Sequence, residues 1–186
     1  MQIRKGNPED IPQIIDLLRV SLGESLIPKS IELWQWKHQD NPFGASPVIL
    51  AEEKGALIGI RVFLKWEYSW GGKVISACRA VDTAVHPNFQ GKWIFSKLTL
   101  QLIEELKEEG VDLIYNTPNK NSTPGYLKMG WEKWKPLPLH LSLNWPSLLS
   151  GKKELPFSDW DSLGSIVEKL ESQSPESHKV QTRLCP

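Results

Sequence analysis

Two cysteines in 186 residues, Cys78 and Cys185, are too few for a disulfide framework or a thiolate metal site. An excess of charge is also missing: Lys and Arg number 22, Asp and Glu 22, and the formal net charge is zero. A general grip on nucleic acid needs a basic face, so this balance argues against one. No apolar run approaches the ~20 residues of a membrane-spanning helix. The first eight residues, Met1 to Pro8, carry no apolar stretch of the signal-peptide kind. No internal repeat is visible. These absences lead to the expectation of a cytoplasmic protein without metal, membrane or nucleic acid as partner. The length suits one ordinary domain with a short appendage. Tryptophan, by contrast, is plentiful, with nine residues.

The pattern predicts alternating strands and helices. Residues 2–5 read as a strand. Asn7, Pro8, Glu9 and Asp10 form a helix start: an N-cap, a proline in the first turn and two acids beside the positive end of the dipole. Ile11, Ile14, Ile15, Leu18 and Leu22 make the inward stripe of that helix, and Gly23 ends it. Residues 30–38 read as a second helix with Ile31, Leu33 and Trp34 inward, closed by Asn41-Pro42-Phe43-Gly44. Strands are expected at 48–52 and 57–66. Two more, at 68–70 and 73–76, flank Gly71-Gly72, a strong hairpin signal. Residues 77–85 read as a separate strand, with Arg79, Val81, Thr83 and Val85 on one face and Cys78, Ala80, Asp82 and Ala84 on the other. Buried in that strand, Cys78 reads as a small apolar residue.

Pro87, Asn88 and Gly91 then punctuate the chain, and the apolar period changes. Phe95, Leu98, Leu102 and Leu106 recur at helical spacing, with Glu104, Glu105, Glu108 and Glu109 as a solvated face up to Gly110. A strand that turns directly into a helix N-terminus leaves backbone N–H groups free at the positive end of the dipole, where an anion can sit. Residues 111–115 read as the next strand, and further strands are expected from Trp131 and over 137–143. From Asn144 the composition changes. A linker, one amphipathic helix built on Trp160, Leu163, Ile166, Val167 and Leu170, and a Ser-, Pro- and Lys-containing tail from Ser172 are expected. The chain is therefore read as a folded unit over 1–145 and an appendage over 146–186.

Two motifs stand in order. The first is Val85-His86-Pro87 followed by Gln90-Gly91-Lys92-Trp93-Ile94-Phe95; the second is Asn119, Ser122, Tyr126, Gly130 and Trp131. Together they resemble the acyl-CoA-binding core of the GNAT (GCN5-related N-acetyltransferase) superfamily. In that pattern a strand ends near Val-x-Pro and Gln/Arg-x-x-Gly-x-Gly/Ala opens a long helix. A later Asn-x-x-Ala/Ser precedes Tyr-x-x-x-Gly-Phe. Trp93 and Phe95 depart from it, standing where the family has Gly and Gly or Ala.

The resemblance implies a mostly antiparallel α/β sheet flanked by helices. It implies acetyl-CoA as co-substrate, held by the backbone of Thr83, Ala84 and Val85, by the turn amides of Gln90, Gly91, Lys92, Trp93, Ile94 and Phe95, and by Asn119 and Ser122. Tyr126 matches the family's general acid near the thioester sulfur. The implied activity is N-acetyl transfer to a primary amine of a small molecule or amino sugar by direct attack on the thioester. The altered glycines leave a second reading, a GNAT-fold CoA-binding or scaffolding protein with weak or no catalysis. A homodimer is compatible with either.

From the residues alone, Asp82 is the candidate base, since small neighbours leave room above it; a salt bridge, for instance with Arg79, or a place in a β-bulge is the bland alternative. His86 reads as a turn residue and His38 as a cation at a helix C-terminus. Asn119 also fits an ordinary N-cap, and Tyr126 a helix-edge packing residue. The tryptophans read mostly as core and sheet-edge packing, although an aromatic groove for a sugar is conceivable.

Overall fold

One mixed sheet runs β1 (Gln2–Lys5), β2 (Val48–Glu53), β3 (Ala56–Trp70), β4 (Lys73–Val85), β5 (Leu113–Tyr115) in space as in sequence. The computed structural model describes residues 1–24 and 27–134, and the backbone of residues 181 and 182. The first four strands are antiparallel and β5 joins β4 parallel. A two-residue strand β6 (Gln181–Thr182) pairs with the far end of β3 at Tyr68 and Ser69. The strand expected over 137–143, the linker, the amphipathic helix and the tail otherwise lie outside the described residues. Residues 131–134 are not in a strand.

The helices α1 (Ile11–Leu22), α2 (Ile31–Trp34), α3 (Ile94–Glu108) and α4 (Thr123–Lys128) cover the sheet. A short 3-10 turn over Pro8–Asp10 leads into α1, and Asn7 caps it in a reciprocal capping box with Asp10. Arg4 grips the Asp10 carboxylate at 2.8 Å. One apolar layer joins Ile14, Leu17 and Leu18 of α1 and Trp34 to Leu50, Ile60, Val62 and Ala84. The other joins Leu98, Leu102 and Leu106 of α3 to Ile49, Ala51, Phe63, Cys78 and Ala80. Leu17 takes the place expected of Leu22, which is exposed, and Ile31 is exposed where an inward face was expected. Gly59 lets α3 approach: a Cβ there would lie 2.8 Å from Ile94 Cγ2.

Two expectations about the hairpin are corrected. Residues 57–70 and 73–85 each form one continuous strand rather than two, because β3 and β4 pair from Trp70↔Lys73 inward without interruption as far as Val62↔Val81. Beyond that point the register shifts. Arg61 alone lies between Ile60 and Val62, while Asp82 and Thr83 both lie between Val81 and Ala84. The extra residue is a β-bulge, with Asp82 at φ 41°. The bulge exchanges the faces, so Cys78 and Ala80 pack with α3 whereas Ala84 packs with α1. The alternation expected through 78, 80, 82 and 84 breaks there.

Candidate active site

The strand pair β4–β5 opens at its C-terminal end. Its register covers only Ala77–Leu113, Cys78–Ile114 and Arg79–Tyr115, so residues 80–85 face no strand on that side among the described residues. Extended backbone with unpaired donors and acceptors is a template for an extended ligand. At the end of β4 the chain makes a 3-10 turn over Pro87–Phe89, where His86 Nδ1 accepts the Asn88 N–H, and Gln90 Nε2 donates back to the Val85 carbonyl at 3.3 Å. Gly91 (φ 76°) and Trp93 (φ 61°) are both left-handed. The first intrahelical bond of α3 is Lys97 N–H to the Trp93 carbonyl, 3.0 Å. The amides of Ile94, Phe95 and Ser96 precede it, and Trp93 supplies no capping side chain. The strand thus turns into a helix N-terminus without a side-chain cap.

The two residues that depart from glycine lie in different surroundings. Trp93 is 72% exposed. Phe95 turns inward and meets the Tyr126 ring edge-on at 5.3 Å. Gly125 makes room for it, since a Cβ there would lie 3.3 Å from Phe95 Cε1.

Asn119 organises the approach to α4. Its Oδ1 accepts from the N–H groups of Asn121 (3.0 Å) and Ser122 (2.9 Å) and from the Ser122 hydroxyl (3.0 Å). It therefore serves as a local cap. The Tyr126 ring is buried between Phe95 and Trp131, whose ring centroid lies 4.9 Å away. Its hydroxyl accepts a 2.7 Å hydrogen bond from Arg61 Nη1, which also donates to Thr83 Oγ1 at 2.6 Å. Arg61 is fully buried, 4.4 Å from the centroid of Phe63, and Nε and Nη2 have no partner among the described residues. No carboxylate contacts it among the described residues. Burial pushes its pKa down, and the neighbouring phenol only partly offsets that.

The opposite face carries the carboxylate. After Trp34, α2 widens into a π-turn over Gln35–Gln39, in which Asp40 N–H reaches the Gln35 carbonyl at 2.9 Å. Two consecutive residues thereby reach one oxygen: Lys37 Nζ lies 2.6 Å and His38 Nε2 2.8 Å from Asp82 Oδ2. His38 is buried, 4.3 Å from the Trp34 ring, and its Nδ1 meets Ser46 Oγ at 3.0 Å. Burial opposes the charge on Asp82, but the His38 hydrogen bond and the charge and hydrogen bond of Lys37 outweigh it and bring its pKa down to about 2. Arg79, the partner considered from sequence, instead donates to Thr117 Oγ1. An alkylammonium has a pKa of ~10.4, some eight units higher, so direct proton transfer to such a carboxylate is uphill by about 11 kcal/mol. That favours holding an ammonium over taking its proton. Asp82 Oδ1 has no partner among the described residues.

The bulge thus sends adjacent residues to opposite sides of the sheet, Asp82 toward Lys37 and His38, Thr83 toward Arg61 and Tyr126. Sequence reasoning overlooked Lys37 and Arg61 and set His38 aside. Arg61 had a legible signal, a single charge inside the apolar run Leu57-Ile58-Gly59-Ile60-Arg61-Val62-Phe63-Leu64.

A family model, the acetyltransferase (GNAT) domain, matches residues 2–134. The chain belongs to that family of N-acyltransferases. The GNAT match takes in β1 through α4, and hence both motifs. The fold is shared with several solved structures. A predicted acetyltransferase from Clostridium acetobutylicum, solved with acetyl-CoA, is 20% identical at TM-score 0.64, covering 76% of this chain and 95% of that one. Glucosamine-6-phosphate N-acetyltransferase from Arabidopsis thaliana is 17% identical at TM-score 0.59, covering 77% and 98%. An aminoglycoside acetyltransferase from an uncultured soil metagenomic sample, solved with trehalose, is 20% identical at TM-score 0.59, covering 76% and 95%. No curated protein sequence matches the chain.

Proposed function

We propose that this GNAT protein transfers an acetyl group from acetyl-CoA to the primary amine of a small molecule or amino sugar. The observation that carries the proposal is the stretch of β4 over 80–85 that faces no strand on its β5 side among the described residues and ends on the open amides of the α3 N-terminus. An extended chain bearing amides and ending in a pyrophosphate is the ligand chemistry that suits both parts. On this reading the backbone of Thr83, Ala84 and Val85 holds the pantetheine arm, and the amides of Gln90 to Phe95 hold the pyrophosphate. Asn119 and Ser122 border the arm from α4.

Acetyl-CoA supplies the acetyl group as a thioester. The amine nitrogen forms the new bond to the acetyl carbon, the carbon–sulfur bond breaks, and the thiol leaves protonated. Tyr126 holds the proton that the departing sulfur needs. Asp82, kept ionised by Lys37 and His38, holds the acceptor ammonium through Oδ1. The ammonium first gives one proton to water, which frees the attacking lone pair; the second, lost from nitrogen as the amide forms, returns to the Tyr126 oxygen by way of water. The face that carries Asp82 continues with Trp66, Arg79 and Tyr115, and aromatic faces beside a charged donor suit a polar ring. Two of the structural relatives are named for amino-sugar acceptors, which supports the same class.

One observation favours the second reading, a CoA-binding protein with little catalysis: a carboxylate at pKa about 2 is a weak base. The test has two arms. Acetyl-CoA should raise the melting temperature, because a ligand that binds only the folded state stabilises it. Thiol release should then follow with at least one member of a panel of amines and amino sugars. Binding without release across the panel would leave the second reading, and no thermal shift with CoA or acetyl-CoA at millimolar concentration would remove both.

A further inference from the structure

We propose that Arg61 is a positioning residue that aims the Tyr126 proton and stabilises the phenol oxygen when that proton leaves, an inference that rests on the acid role of Tyr126 proposed above.

The direction of every bond in this cluster follows from chemistry. A guanidinium has donors and no acceptor, so at 2.7 Å the Tyr126 oxygen must accept from Arg61. The phenol's own proton therefore points elsewhere. The Thr83 hydroxyl accepts from the same Nη1 and donates to the Val81 carbonyl, 3.2 Å away, across the bulge. That ties the guanidinium to the segment of β4 that faces the cleft. Phe63 lies against it at 4.4 Å, and Phe95 and the Tyr126 ring stand 5.7 and 5.4 Å from it. The side chains turned toward the cluster from α3, β4 and the segment after α4 are Phe95, Thr83 and Trp131, none of them ionisable near neutral pH. Tyr126 is the one titratable group that Arg61 feels among the described residues.

A fully buried cation without a carboxylate is costly, and apolar replacement of buried charge is often neutral or stabilising. A residue kept only for stability would not be built this way. A cation held 2.7 Å from the oxygen that gives up a proton lowers the cost of the negative charge left on it.

The test is Arg61→Met, with Tyr126→Phe and the double variant. Arg61→Met should melt at the same or a higher temperature and leave the KM for acetyl-CoA unchanged. Its kcat should fall about 10- to 100-fold, the worth of a hydrogen bond to a charged group. The double variant should be no slower than Tyr126→Phe alone, because the two act through one proton. The alkaline limb of the kcat/KM profile should move to higher pH, and Arg61→Lys, which keeps the charge, should restore its position. Unchanged turnover in Arg61→Met, or losses that add in the double variant, would overturn the proposal.

Ultraviolet titration of phenolate, with Tyr126→Phe subtracted, reads the same coupling without any turnover. The Tyr126 signal should appear at higher pH in Arg61→Met than in the parent. If it does not move, the coupling is absent. If it moves in a protein that acetylates nothing, the coupling stands and the proposed activity falls. Should Arg61→Met fail to fold, Arg61→Gln, which keeps a donor but not the charge, takes its place with the same expected shift.

Discussion

His38 Nε2 stands 2.8 Å from Asp82 Oδ2, and because an ionised carboxylate only accepts, the proton in that bond belongs to the imidazole. The pair closes the gap between the α2 π-turn and the β4 bulge. It also couples folding to acid.

Asp82 has its folded pKa lowered from 3.8 to about 2. As pH falls, the unfolded chain takes up the proton first. The stabilisation is thus complete above about pH 4 and disappears as pH drops through the folded value near 2. The shift corresponds to about 2 kcal/mol. Asp82→Asn is the informative variant, since asparagine tolerates the left-handed backbone at φ 41°. In denaturant titrations it should be less stable than the parent at pH 7 by roughly that amount, with the two converging toward pH 2.

Tyr126→Phe should lower turnover by about 10²–10⁴-fold, the usual range for general-acid catalysis, with acetyl-CoA affinity unchanged. Stability should fall as well, by about 1–3 kcal/mol, because buried Arg61 loses one of its two acceptors. Full turnover in a folded variant would assign the proton to water and leave Tyr126 a structural residue.

Trp93→Gly should stabilise the fold. A left-handed non-glycine residue costs roughly 1–2 kcal/mol, of which the greater freedom of glycine in the unfolded chain takes back about half. Acetyl-CoA affinity should hold or tighten. A large loss of affinity in the folded variant would make the exposed indole a contact that stacks on the ligand.

Gly59→Ala should cost about 1–3 kcal/mol, the range for overpacking. Its new methyl would meet Ile94 Cγ2 at 2.8 Å, Leu98 Cδ1 at 3.2 Å and the Ala51 Cβ at 3.4 Å. Since Ile94 opens α3, the same variant should weaken acetyl-CoA binding. A melting temperature equal to the parent's would show that α3 can shift outward freely.

The strand-turn-helix core was legible because its signals are local. Pro87 and Gly91 break the chain where the apolar period changes, and Asn119, Tyr126 and Gly130 keep a fixed spacing around one short helix. A β-bulge at Asp82 was one of the readings the residues left open, but no local signal singled it out. Its left-handed residue is Asp82 rather than glycine, and the register shift arises from pairing with β3. The partners that the bulge brings to Asp82 were hidden. Lys37 and His38 lie 45 and 44 residues from Asp82 in the chain, and they meet it only because the extra residue turns it toward α2. Arg61 could be noticed as a charge among apolar residues, but no pattern in the sequence names a tyrosine 65 residues away as its partner.

The stretch of β4 that β5 leaves unpaired has a consequence for handling the protein. Extended backbone with open hydrogen-bonding groups accepts any strand of suitable length, including one from another copy of the chain. On the proposed reading, self-association through residues 80–85 and ligand binding compete for the same amides. Acetyl-CoA should act as a solubiliser: light scattering during concentration should rise later with it than without it, and a ligand too short to run along the strand should give no such protection.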